Sequence, residues 1–274
     1  MPRSALLAAL GAIALWGVLA ALSLRLKSWP PFLLVGTALL VGSLCSVHRF
    51  AAWRVPGRIL ALGVYGLFGF HFLLFMALRL APPVEANLVN YLWPLLIVVL
   101  APVMLTGTAL RARQVAGAGV GFLGAALLVT GGELRFDPAH TTGYALAFGS
   151  AVVWATYSLA TKRVAAFPTA TIGLFCAVSG ALALACHALF EPSYVPAASE
   201  WPWLLALGLG PMGAAFYLWD HALKHGDPRR IGSLAYLTPM FSTLVLVAVG
   251  AGSLTPLTLI AVATIVGGAA LGAR

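Results

Sequence analysis

Ten apolar runs, each long enough to cross a membrane, decide what this chain can become. They cover residues 4–24, 30–48, 58–80, 84–106, 113–131, 142–163, 168–190, 202–223, 230–250 and 254–272. A helix needs about 20 apolar residues to span the hydrocarbon core, whereas a transmembrane β-strand needs about ten of alternating character. In lipid every backbone N–H and C=O must be paired inside its own segment, so continuous runs of this length fold as helices and a barrel is excluded. The chain is read as an all-α integral membrane protein with ten transmembrane helices. Charge agrees, since Asp, Glu, Lys and Arg make up only 8% of the 274 residues and the mean hydropathy is +0.99. A soluble domain carries about 25%. The loops are too short to hold a separate soluble domain.

The loops also orient the chain. With the N-terminus inside, the inner loops and ends carry Arg3, Arg49, Arg54, Arg58, Arg111, Arg113, Lys162, Arg163, Lys224, Arg229, Arg230 and Arg274. The outer loops carry only Arg25, Lys27, Arg79 and Arg135, together with Glu85, Glu133, Asp137, Glu191 and Glu200. Excess Lys and Arg marks the cytoplasmic side, so both termini are expected there, in a bacterial cytoplasmic (inner) membrane. This distribution accounts for the net charge of +9 without a nucleic-acid partner. Cys45, Cys176 and Cys186 all lie in apolar runs. Cys176 and Cys186 are ten residues apart, about 15 Å along one helix, too far to pair.

The two halves repeat. At a shift of 138, Gly11 aligns with Gly149, Trp16 with Trp154, Arg25 with Arg163, Pro30 with Pro168 and Gly42 with Gly180. Further on the shift becomes 145, and Leu-Ala-Leu-Gly at Leu60 meets the same four residues at Leu205. Five helices in each unit force the second unit into the membrane upside down. Residues 1–137 and 138–274 are therefore read as an inverted five-plus-five repeat, an architecture of alternating access. The repeat also argues against Arg3 and its apolar run being a removable signal peptide, because the run has a mid-chain partner.

Within the repeat, LVNYLWPLL at Leu88–Leu96 matches SLAYLTPMF at Ser233–Phe241. A proline in a membrane helix strips one carbonyl of its donor and bends the helix, which is tolerated where protein or a wet cavity covers the break. Matched breaks in the two halves point to a binding site between them. Pro94 and Pro239 are the expected gating residues.

The aromatic residues sort by depth. Trp29, Trp53, Trp201 and Trp203 stand at span ends and Trp219 near one, where interfacial anchoring explains them. Trp16, Trp93 and Trp154 lie near mid-helix, where an indole N–H needs a partner. Trp93 and Trp154 read as cavity lining, with packing inside the bundle as the lesser alternative, and Trp16 as either. His71 is the one ionisable residue close to mid-membrane and reads as a cavity group or as a neutral interhelical hydrogen-bonder. Asp220, with Lys224 four residues on, reads as a helix-end ion pair, with a coupling role as the lesser alternative. Asn90, Tyr91, Tyr157, Tyr217 and Tyr236 could offer polar tips to a ligand or join helices. Gly117 with Gly121, and Gly268 with Gly272, form close-packing GxxxG pairs. Whether they join helices of one chain or build a homodimer is left open by the sequence. No nucleotide loop, nucleophile motif or metal-spaced cluster is present, so no cofactor or metal is expected, nor an ATP-driven pump acting alone.

Ten helices in an inverted repeat, a tryptophan in helices one and six and a proline in helices four and nine together resemble the drug/metabolite transporter superfamily, in its EamA group. The resemblance covers essentially the whole chain. Within the group, His71 and Asn90-Tyr91-Leu92-Trp93-Pro94 are most similar to the bacterial aromatic amino acid exporters. A glutamate frequent in the family after the proline helix is missing from both copies, at Thr106–Ala109 and Ala251–Ser253. The resemblance implies a central cavity lined by Trp16, His71, Tyr91, Trp93, Trp154, Tyr217 and Tyr236. It also implies export of aromatic and other hydrophobic amino acids by alternating access. Export of another small metabolite or drug is the alternative within transport. An intramembrane enzyme with His71 as general base is the alternative of a different class, and it lacks a nucleophile at any recognisable spacing.

Overall fold

The structure, a computed structural model, describes residues 1–164 and 166–273. Arg274, counted above among the inner cations, lies outside the described residues. The described chain is helical throughout, in α1 (Arg3–Leu24), α2 (Pro31–Trp53), α3 (Gly57–Leu80), α4 (Pro83–Met104), α5 (Ala112–Thr130), α6 (Thr141–Arg163), α7 (Thr169–Phe190), α8 (Ala198–His225), α9 (Pro228–Ala248) and α10 (Pro256–Ala273). Among the described residues nine of these are long and apolar enough to cross a membrane. The tenth, α6, is long enough at 23 residues but more polar. Its polar side chains explain the difference: Ser150, Ser158 and Thr161 are all buried, so they face protein and not lipid.

Proline sets several starts. Pro31, Pro83, Pro228 and Pro256 each sit in the first turn, where the missing N–H has no helical partner to lose. Gly131 ends α5 at a φ of 62°, a left-handed cap that a side chain disfavours. Residues Leu44–Trp53 of α2 tighten into a 3₁₀ turn that carries the span past the expected end at residue 48.

The packing pairs helices across the two halves. The most extensive contacts join α5 with α10, α2 with α7, α3 with α6, α1 with α8, α1 with α9, and α4 with α6. Under exchange of halves, α3–α6 becomes α8–α1, and α1–α9 becomes α6–α4. The two GxxxG pairs meet inside the chain: a Cβ on Gly117 would stand 2.7 Å from the Gly268 carbonyl oxygen, and one on Gly268 2.5 Å from the Gly121 nitrogen. That answers the question the sequence left open for these glycines, since α5 and α10 use them against each other.

The two sets of loops fall at opposite ends of the bundle. At one end Lys162 donates to the Gly226 carbonyl at 2.6 Å, and Arg229 reaches the Ala109 carbonyl. At the other, Ser28 donates to Glu200 at 2.9 Å and Arg25 lies over the Trp203 ring. Glu191, its side chain 1% exposed, accepts from the backbone N–H groups of Phe32 and Leu33 at 3.0–3.2 Å. A carboxylate from the end of α7 thus caps the start of α2.

Two departures from regular helix recur at a shift of 145. A π-turn spans Tyr65–Gly69 in α3 and Gly210–Ala214 in α8. The second is the proline break. In α4 it takes in Tyr91 and Leu92, and in α9 the single residue Tyr236.

Candidate functional site

Each π-turn inserts one residue into its helix and so re-aims the side chains that follow. Phe70 and His71 come directly after the first, and Phe216 shortly after the second. These residues converge on the centre of the bundle, where His71 and Phe216, repeat counterparts of each other, have ring centres 6.2 Å apart. The second π-turn also frees a backbone carbonyl, that of Pro211, which accepts from the Trp16 indole Nε1 at 3.2 Å.

Four tryptophans form the floor of the site. Trp16, Trp93, Trp154 and Trp219 come from α1, α4, α6 and α8, and all six of their pairings have ring centres 5.1–6.4 Å apart. Most pairs meet edge to face or tilted, the arrangement that the ring quadrupole favours. Trp219 is a correction to the sequence reading, which placed it in the interfacial belt. It is 1% exposed, its Nε1 donates to Ser158 Oγ at 3.1 Å, and it closes the tetrad from below. The sequence signal was its place three residues after Phe216 on one helical face.

Above the tetrad lies a cavity of about 280 Å³. Trp16, Trp93, Trp154, Phe216, His71 and Phe75 line its depth, and Asn90, Tyr91 and Thr238 its polar wall. Asn87 and Ser23 carry it toward the end of the bundle that holds Arg25 and Glu200. Asn87 is on the first turns of α4 and Ser23 on the last turn of α1, both at that end. The opposite end is plugged by Trp219 and by Asp220, which is 2% exposed and takes hydrogen bonds from Lys224 Nζ at 2.7 Å and Thr169 Oγ1 at 2.6 Å. The predicted ion pair is therefore present, on the closed side. The cavity thus faces one side only.

Among the described residues no carboxylate, lysine or arginine lines the cavity, and the titratable side chains that do are His71 and Tyr91. His71 Nδ1 is 2.6 Å from the Leu67 carbonyl oxygen. A carbonyl can only accept, so Nδ1 carries the proton, and Nε2 of the neutral ring is the acceptor left for a ligand. Asn90 Oδ1 accepts from Ser150 Oγ at 2.8 Å, which fixes the amide. The backbone carbonyl of Asn90 loses its helical donor to Pro94.

Six of the nine expected ligand residues stand together on this wall: Trp16, His71, Asn90, Tyr91, Trp93 and Trp154. Three do not. Tyr157 lies behind Trp154, ring centres 5.5 Å apart, over Gly66. The Tyr217 hydroxyl donates to the Gly42 carbonyl and bonds Ser46 Oγ, which places it between α8 and α2 toward the closed end. Tyr236 is fully buried and bonds to the backbone of α4. The Tyr217 and Tyr236 hydroxyls found protein partners, the alternative that the sequence had left open, and the Tyr157 ring packs between helices. The residues missed, Phe216, Thr238 and Asn87, carried a faint signal at best: Phe216 and Thr238 are the repeat counterparts of His71 and Trp93.

The profile of the EamA-like transporter family matches residues 3–130 and again residues 141–273. The chain is 43% identical to a protein named aromatic amino acid exporter YddG from Ancylobacter novellus, over 98% of this chain and 96% of that one. It is 27% identical to an aromatic amino acid exporter YddG from Salmonella typhimurium over 69% of its length, and 26% identical to an uncharacterized transporter YyaM from Bacillus subtilis over 70%. A solved crystal structure, 43% identical, superposes with a TM-score of 0.95 over 99% of this chain and 96% of the other.

Proposed function

The chain belongs to the EamA-like transporter family, and from that premise we propose that it exports aromatic and other hydrophobic amino acids by alternating access. The observation that carries the substrate class is a tryptophan-floored cavity without a charged wall. An aromatic side chain set among these rings gains about 0.5–1.5 kcal/mol per ring pair beyond area burial. That biases selection several-fold and still admits leucine or methionine. The zwitterionic end of the substrate then lies along the polar side of the cavity, between His71 and Asn87. Its ammonium meets His71 Nε2 and the freed Asn90 carbonyl, and its carboxylate meets the Asn87 amide and the Tyr91 hydroxyl. With no fixed counter-charge in the cavity, a second substrate charge would stay unpaired at a cost, so lysine and glutamate are excluded.

The path follows from the two halves. The double family match and the cross-half pairings support an inverted repeat of ten helices, 1–137 and 138–274, with α6 crossing despite its polarity. The loop charges support cytoplasmic termini in a bacterial inner membrane, which makes the open mouth external. The conformation is then the one that releases an exported solute.

The test is flux of labelled phenylalanine, leucine, lysine and glutamate into liposomes containing the purified protein. Phenylalanine and leucine should be carried, and lysine and glutamate should not. Trp93→Ala or Trp154→Ala should cut phenylalanine flux about two- to tenfold more than leucine flux. Equal losses would assign the tryptophans to packing, and an absence of amino acid flux in the wild type would move the assignment to another small metabolite or drug.

A further inference from the structure

The matched breaks in α4 and α9 are near copies in sequence but differ in condition. In an unbroken α4 the Leu95 N–H would donate to the Tyr91 carbonyl four residues earlier. Instead the Tyr236 hydroxyl stands between them. It accepts from Leu95 N at 3.2 Å and donates to the Tyr91 carbonyl oxygen at 3.2 Å. The regular ladder resumes only at Leu96, which donates to the Leu92 carbonyl at 2.9 Å. One rung of α4 is thus replaced by a two-bond bridge from the other half of the chain. A hydroxyl suits the task because it donates and accepts at once, leaving neither backbone group orphaned in an apolar interior. Its ring is held by Phe122, 6.4 Å away, and over Gly121, where an added Cβ would come within 2.8 Å of it.

Tyr91 is the residue at the same place in the first half, and it does nothing comparable here. Its side chain lines the cavity. The backbones differ to match. Tyr91 has ψ 1° in a two-residue break, while Tyr236 has ψ −11°, still helical, in a one-residue break. α4 is opened and bridged, and α9 departs from helix at one residue only.

We infer that Tyr236 and Tyr91 exchange this bridging role as the transporter turns over. In the state seen here Tyr236 bridges the α4 break; in the state open to the other side Tyr91 bridges the α9 break, between the Tyr236 carbonyl and the Met240 N–H. The inference rests on the alternating-access reading above. In an inverted repeat the two access states are the two ways of assigning one pair of conformations to two halves. Whatever distinguishes α4 from α9 in one state must change places in the other. The exchange has a consequence for the solute: the Tyr91 hydroxyl leaves the cavity to make its bridge, so a wall group is withdrawn as the site changes sides.

The test uses two cysteine reporters in a cysteine-free chain. Ser23→Cys stands at the open mouth and Thr161→Cys is buried in the closed half. Maleimide labelling rates are measured for each with Tyr236→Phe, Tyr91→Phe or both, on monodisperse protein only. Losing a bridge weakens one state alone, shifting the ratio of states by about fivefold. Tyr236→Phe should slow labelling at Ser23→Cys and speed it at Thr161→Cys, and Tyr91→Phe should do the reverse. The double variant should return between the two. Shifts in the same direction for both single variants, or no shift in either, would overturn the exchange. Should Tyr236→Phe not yield folded protein, Tyr91→Phe decides alone, since a cavity-lining tyrosine without the bridge role gives no gain at Ser23→Cys. Labelling needs no substrate, so this outcome stands apart from whether amino acids are carried.

Discussion

His71 shows how far a single residue can be read. Its depth in an apolar run marked it as costly and therefore placed for a purpose, and it does line the cavity. Its tautomer was beyond the sequence, because the partner is a backbone carbonyl, Leu67, which any sequence supplies. With Nδ1 committed, the ring offers one acceptor and has Phe70, Phe75 and Phe216 for neighbours, and among the described residues no carboxylate lines its cavity. A proton relay near neutral pH needs a carboxylate or second imidazole within reach, and a phenol does not titrate there. His71→Gln should therefore keep a substantial part of phenylalanine flux, with weak dependence on an imposed pH gradient. Uphill, proton-driven flux lost selectively in His71→Gln while exchange survives would reverse that view. Trp219 marks the limit of reading by depth. Four residues from the end of its span, it looks interfacial in a one-dimensional count, yet the closed half of the bundle folds over it. Depth along a helix and distance from solvent coincide only where the bundle is symmetric about its midplane, and a one-sided cavity breaks that symmetry.

At the scale of the helix, the proline breaks were legible and their condition was not. Pro94 and Pro239 each remove one N–H, which fixes where a helix weakens. Which break opens depends on the side chain that fills it, and that is a choice between equivalent tyrosines. Alanine at either position should restore a rung and slow transport several-fold while membrane abundance falls less. Full transport by the double variant, measured per folded molecule, would reduce the prolines to packing. Of the paired π-turns only the second had a sequence marker beyond the glycines of the repeat, Pro211, which removes one helical N–H, while the first has no proline. Glu191 was placed in an outer loop by the charge count. Its work as a cap for α2 needed the third dimension, since 159 residues separate it from Phe32. Glu191→Ala strands two N–H groups of α2 and the Arg79 and His187 partners, at a cost of about 1–3 kcal/mol. The thermal midpoint of the purified protein should fall by several degrees, with flux per folded molecule little changed. An unaltered midpoint would mean that water replaces the cap.

For the whole molecule, sidedness decides whether the open mouth releases an exported solute or collects an imported one. The fold assigns the loops to two ends but carries no label for either. The label comes from charge: among the described residues eleven of the fifteen Lys and Arg fall at one end. Lys and Arg are held back during insertion and the outer loops hold only four, which supports the proposal that the rich end stays in the cytoplasm. The open cavity lies at the poor end, beside Arg25 and Glu200. Single cysteines decide the matter at positions that are exposed at the two ends. Arg54→Cys and Ala112→Cys lie at the rich end, Phe136→Cys and Val195→Cys at the poor end. In intact cells an impermeant maleimide should label positions 136 and 195 and leave 54 and 112 unlabelled until the membrane is broken. Ser23→Cys, within the cavity mouth, should label with the outer pair, and more slowly when phenylalanine is present at saturating concentration. Labelling of position 54 from outside would invert the topology. The cavity seen here would then open to the cytoplasm, and the structure would be the state that loads the solute.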